Sequence, residues 1–211
     1  MGLIAGTDIA DLSSLPGEQR AALRQAYASP PRAYHHFGHV EDVLLHYRVV
    51  AEGPGWRQPR EVGLAVLYHD AIYVPGRSDN EAESARLAVE HIARWLAQAR
   101  IDSSRVSELI LLTARHGTLD TADFGDDATA EDTRRFLDCD MAILGAAPEA
   151  FAEYDRAIAE EYRAVPRWLY RIKRRQFFEK LLASERIYLS DFFRDRLEAR
   201  ARRNLQAALA G

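Results

Sequence analysis

An all-α fold is what this sequence predicts, and three observations carry the prediction. Apolar residues recur at helical spacing along most of the chain. Breakers such as GPGWRQP punctuate it at helix-length intervals. No segment alternates apolar and polar residues as a half-buried strand does. The 211 residues suit one domain, and 47% hydrophobic with 28% charged residues is ordinary globular composition with enough apolar material for a core.

The elements follow in order. From AYHHFGHVEDV, residues 33 to 43, a helix begins near residue 36 and carries Val40, Val43, Leu44, Tyr47 and Ala51 on one face. After GPGWRQP comes REVGLAVLYHDAIY, whose length and Ala and Leu content favour a buried helix over a strand. Ser78-x-x-Glu81 reads as a capping box opening a helix with Ala82, Ala85, Val89, Ile92 and Leu96. A further helix carries Val106, Leu109, Ile110 and Thr113, and the acidic GTLDTADFGDDATAED reads as a surface loop. Helices are expected over about 130–145, 148–164, 167–184 and 190–209, with Pro148 at a first helical position and Pro166 between neighbours.

The net charge of −4 hides an asymmetry: residues 167–211 carry +7 and the rest −11. The expected organisation is a single helical domain, 1–211, with a basic helical extension from about 167. Such a tail suits an anionic substrate or acidic partner, although solvated helix faces are the plainer account. Nucleic acid is not an expected partner, because no aromatic platform or recognition motif accompanies the charge. No apolar run approaches the ~20 residues of a membrane span, so no membrane association is expected. MGLIAGTDIADLSS lacks the basic and long apolar regions of a signal peptide, which makes the cytoplasm the expected location. A lone cysteine, Cys139, excludes a disulfide framework and a multi-cysteine zinc site, and reads as a small core residue. Oligomeric state is left open.

Chemistry concentrates in a few places. Three histidines, His35, His36 and His39, fall within five residues where a helix begins, yet a helix start ordinarily wants a capping oxygen rather than a ring. His35 and His39 share a face if the helix extends that far back, and His39 borders the apolar stripe. Thirty residues on, His69-Asp70 ends the buried helix, where two adjacent side chains can converge at a cleft edge. Later, LDCDMAILG places Asp138 and Asp140 amid apolar residues, which is costly unless they are paired or metal-bound. Two imidazoles and two carboxylates suit a divalent Mn, Fe, Co or Zn ion, whereas Mg prefers oxygen ligands. Asp138 and Asp140 stand about 200° apart on a regular helix, and Asp140 borders the face marked by Leu137, Met141 and Leu144. Asp138 is then left to cap, to pair with Arg134 or Arg135, or to support the ligands.

Secondary candidates are His116 at the head of the acidic loop and Asn80, which could face a cleft. Arg171 and Arg174, three apart on one helix, could hold a phosphate. His46 and His91 read as ordinary helix residues, and Glu81 as the capping-box acceptor.

An isolated His, then HD, then a distant Asp resembles the HD superfamily of metal-dependent phosphohydrolases, whose domains are helical bundles. Most of the chain resembles a bacterial branch of predicted HD-type phosphohydrolases, through RAYHHFGHVEDV, LYHDAIYVPGRSDNEAES, FLDCDMAILG, SERIYLSDFF and EARARRNL. Tyr34-His35-x-x-x-His39 followed by Asp42-Val43 is also similar to the cyclic-nucleotide phosphodiesterases. The resemblance implies a metal held by His39, His69, Asp70 and a late aspartate, Asp140 in preference to Asp138, with His35 as proton donor. Asp70 or Asp140 would also orient the attacking water. His36 and Tyr73 depart from the phosphodiesterase pattern, so cyclic-nucleotide specificity is not implied. His36 keeps no assigned role, and Glu198, Arg202 and Asn204 carry none from spacing. The expected activity is hydrolysis of a phosphate ester or anhydride in a small phosphorylated substrate, such as a nucleotide or related metabolite. The alternatives are an HD-type di-iron oxygenase, drawing on His116 and Glu81 for a second ion, and a non-catalytic nucleotide-binding module.

Overall fold

The computed structural model describes residues 12–30 and 32–211, so most of the stretch read for leader features lies outside the described residues. Among these residues there are nine α-helices and no strand. None of the helices is long and apolar enough to cross a membrane. The helices fall into two compact units, one ending at Ala114 and one running from Arg115 to Gly211.

The first unit holds α1 (Gly17–Ala28), α2 (Phe37–Glu52), α3 (Pro59–Tyr68), α4 (Asn80–Trp95) and α5 (Ser103–Thr113). The apolar run after GPGWRQP forms α3, with Pro59 in its first turn, where a missing N–H costs nothing. Val62, Leu64, Ala65, Val66, Leu67 and Tyr68 are all fully buried, so from Val62 onward this helix is apolar around its circumference. It packs against α2, α4 and α5. Its last side chain carries a buried polar network. Gln19 Nε2 donates to Tyr68 Oη at 3.0 Å, and Tyr68 Oη shares a hydrogen bond with His91 Nδ1 at 3.0 Å. Burial pushes the Tyr68 hydroxyl well above its ordinary range and lowers His91, which keeps both neutral. His91 is therefore a partner within the core rather than an ordinary helix residue.

The capping box expected at Ser78 and Glu81 does not form. Helix α4 begins at Asn80 behind Asp79, one residue out of register with it. Asp79 is held by Arg77 through two hydrogen bonds of 2.6 and 2.7 Å, and the Asn80 amide grips the backbone of Val74, which sets where the helix can start.

The second unit holds α6 (Ala128–Met141), α7 (Pro148–Glu161), α8 (Arg167–Ala183) and α9 (Asp191–Ala210). The basic segment from about 167 is thus integrated with α6 and α7. The acidic stretch contains a 3₁₀ turn at Thr121–Asp123, and Asp127 caps α6 by accepting from Thr129 N and Ala130 N. A second 3₁₀ turn, Ala142–Gly145, follows α6, so Leu144 does not continue the α-helical face used to rank the two aspartates. Helix α9 lies against this turn. A Cβ on Gly145 would meet Leu197 Cβ at 2.7 Å and Tyr188 Oη at 2.8 Å, so only glycine permits the approach.

The tail residues without an expected role hold this packing. Asn204 Nδ2 donates to Leu144 O and Ala146 O, at 2.8 and 3.0 Å. Arg202 donates to Leu182 O, Ser184 O and Glu185 O, and Glu198 accepts from the amides of Ile187 and Tyr188.

Asp138 is 1% exposed, more deeply placed than Asp140. It accepts from Leu189 N at 2.7 Å, Ser190 N at 2.7 Å and Ser190 Oγ at 2.6 Å, and so ties α6 to the start of α9. Of the roles left open for it, pairing with Arg134 or Arg135 is not found among the described residues, where both arginines reach Glu131. Burial pushes the Asp138 carboxyl up to about 7, against the pull of its donors.

Asp138→Ala should lower stability by about 2–4 kcal/mol in urea unfolding, since it leaves buried amides unpaired. A folded-state pKa above the unfolded value gives stability that is complete below about pH 4 and lost as pH rises through 7. Asp138→Asn should flatten that part of the stability–pH curve.

Candidate metal centre

Three side chains of the first unit converge. His39 lies on the first turn of α2, His69 closes α3 and Asp70 follows it. His39 Nε2 and His69 Nε2 are 3.1 Å apart. Asp70 Oδ2 stands 3.2 Å from His69 Nε2 and 3.6 Å from His39 Nε2. The side chains of the two histidines are 3% and 1% exposed and that of Asp70 is 13% exposed, so the aspartate marks the open side.

Tautomer chemistry decides what this cluster wants. His69 Nδ1 lies 2.9 Å from Val66 O, and a carbonyl can only accept. The proton is therefore on Nδ1, and in the neutral ring Nε2 presents a lone pair to the cluster. An imidazole fixed through its far nitrogen on a backbone carbonyl is the usual support for a metal ligand. A first-row divalent ion with donors at about 2.1 Å sets neighbouring donors roughly 3.0–3.4 Å apart, from octahedral to tetrahedral geometry. The separations of 3.1 and 3.2 Å fall within that range, and the His39–Asp70 separation of 3.6 Å lies just above it. These three residues form the one group of this kind found among the described residues.

The other histidines divide. His36 is the N-cap of α2, and its ring does the capping, since Gly38 N donates to His36 Nδ1 at 2.9 Å. The expectation that a helix start needs an oxygen is overturned here. A Cβ on Gly38 would meet the His36 ring at 2.6 Å, so the missing side chain lets the imidazole fold over. His35 precedes the helix, yet its ring stands 5.8 Å from that of His39 and stacks on Tyr73 at 3.9 Å between centroids.

Sequence reading missed the residue that holds these segments together. Arg32 donates to His35 O at 2.9 Å, Asp70 O at 2.6 Å, Ala71 O at 3.0 Å and Ala26 O at 3.0 Å. One guanidinium thus joins the end of α1, the turn carrying His35 and the turn carrying Asp70. No spacing rule flags it, because all its acceptors are backbone atoms and two of them lie 38 and 39 residues away.

Beyond Asp70 the loop is clipped down by α4. Asn80 exchanges both hydrogen bonds with Val74, each 3.0 Å, so its amide supports the loop instead of facing a cleft. Ser84 Oγ accepts from Ile72 N and donates to Ile72 O.

The remaining candidates lie in the second unit. His116 Nε2 and Asp140 Oδ2 form a 2.7 Å pair. Arg174 packs over Phe178 and Tyr154 and donates to Asp155 at 2.8 Å, so one edge of its fork is occupied. Arg171 is exposed. Comparison with protein-family models, curated proteins and solved structures gave no match.

Arg32→Ala should lower stability by about 2–4 kcal/mol, by removing a charged donor from four carbonyls. Arg32→Lys should not restore it, since an ammonium cannot span the same fork. Hydrogen exchange at 70–74 should rise in both variants.

Proposed function

We propose that the chain is a metal-dependent phosphohydrolase acting on a phosphate ester or anhydride of a small nucleotide or related metabolite. The observation that supports this most is the convergence of two buried imidazole nitrogens and a carboxylate oxygen, within 3.6 Å of one another, on the HD pair and the preceding histidine. A divalent ion of Mn, Fe, Co, Zn or Mg held there would supply Lewis acidity toward a phosphoryl oxygen and toward water.

The chain's own residues supply the rest. His39 and His69, the two more buried donors, would hold the ion together with Asp70. Asp70, the most exposed of the three, orients the attacking water as well as ligating. His35 protonates the leaving oxygen, and its stacking on Tyr73 restricts the ring to one plane beside His39. Arg32 is a positioning residue, since it carries the backbone of both His35 and Asp70.

Metal analysis of the purified protein, with a phosphatase screen over nucleotides, sugar phosphates and diesters, tests this reading. His69→Ala and Asp70→Ala should each lose the metal while circular dichroism shows helicity largely retained. Stoichiometric metal in both variants would sink the assignment.

His35→Ala should keep its metal and lose turnover by on the order of 10²–10⁴. The loss should be much smaller for p-nitrophenyl substrates, whose leaving group needs no proton. An equal loss across leaving groups would assign His35 to binding instead.

A further inference from the structure

We propose that a cleft in the second unit binds an oligophosphate anion, two or more linked phosphates, on Arg167 and Arg171. The cleft has a volume of about 870 Å³ and is lined by the end of α7, the turn into α8, the first half of α8 and the last residues of α9. That volume lies within the range of sites for small molecules. Its walls include six arginines, at 156, 163, 167, 171, 174 and 175.

Counterions account for half of these arginines. Asp155 takes Arg174 at 2.8 Å, Glu160 takes Arg163 at 2.5 Å and Glu179 takes Arg175 at 2.8 Å. Arg156 donates through Nε to the carbonyl of Ala152. Arg167 and Arg171 have no carboxylate partner among the described residues. Four apart on α8, they sit one above the other on the same face. They also occupy the positive end of the helix, whose first turn has no acidic residue. Cations there are unfavourable by themselves, and a bound anion would relieve both the repulsion and the helix-end charge.

Tyr170 and Arg174 also line the cleft, and Tyr170 Oη and Arg174 Nη2 are polar atoms with no hydrogen-bond partner there. Several formal negative charges close together match the spaced guanidinium groups better than a single carboxylate would. None of the lining residues belongs to the cluster of His39, His69 and Asp70, so this inference stands independently of the phosphohydrolase reading.

Calorimetric titration of the intact protein with sodium tripolyphosphate, in EDTA, tests the site. Saturable binding is expected, at least tenfold weaker in Arg167→Ala/Arg171→Ala. A charge-matched control, Lys173→Ala/Lys180→Ala, removes two cations of α8 that do not line the cleft, and should bind within twofold of wild type. Asp70→Ala should bind as wild type does. Adenosine triphosphate in parallel shows whether the nucleoside adds to affinity, and retention of either ligand with the same variant pattern supports the site. No saturable binding at millimolar ligand overturns the proposal. So does an equal loss in both double variants, which would reveal diffuse charge, or loss in Asp70→Ala, which would place the anion at the metal cluster.

Discussion

Everything at the candidate centre depends on the guanidinium of Arg32. Four backbone carbonyls from three chain segments accept from it, and a buried carbonyl left unpaired is costly. The planar fork fixes where those segments lie relative to one another. Because His35 and Asp70 present their carbonyls to the same group, their side chains inherit a common frame. Asn80 and Ser84 complete that frame by binding the loop beyond Asp70 to the start of α4.

Within the frame, electronic demand follows from one proton. With Nδ1–H of His69 engaged on Val66, its Nε2 lone pair faces a second imidazole and a carboxylate in a region almost closed to water. Such a cluster is satisfied either by a hydrogen bond from His39 Nε2–H to His69 Nε2 or by a cation held between the donors. The buried helix α3 makes this arrangement rigid, since six of its apolar side chains are fully covered and cannot shift without opening the core.

The second unit is organised by buried polar ties rather than by apolar contact alone. Asp138 joins α6 to the start of α9, Asn204 joins α9 to the turn after α6, and Arg202 gathers the carbonyls that end α8. The Arg202 guanidinium of the C-terminal segment thus belongs to structural hydrogen bonds, whereas Arg167 and Arg171 at the start of α8 have no carboxylate partner among the described residues. Asp140, one turn face away from Asp138, is engaged by His116.

The sequence by itself determined the all-α class and the order of the helices from α2 onward, because 3.6-residue periodicity is a local property. It did not anticipate α1, and of its four expected ligands His39, His69 and Asp70 converge while Asp140 pairs with His116. His39, His69 and Asp70 were legible because metal-type side chains recur there in the order of the His, then HD, pattern that the sequence resembles. What only the tertiary structure decided rests on backbone acceptors and on contacts between distant segments. Arg32 is an ordinary arginine until four carbonyls surround it, and His36 caps α2 only because Gly38 leaves room for its ring. Position on a helical wheel ranked Asp138 as the more outlying aspartate, yet the chain entering α9 covers it and supplies three donors. Helical phase says which way a side chain points along its own axis. Only packing against other elements decides what meets it there.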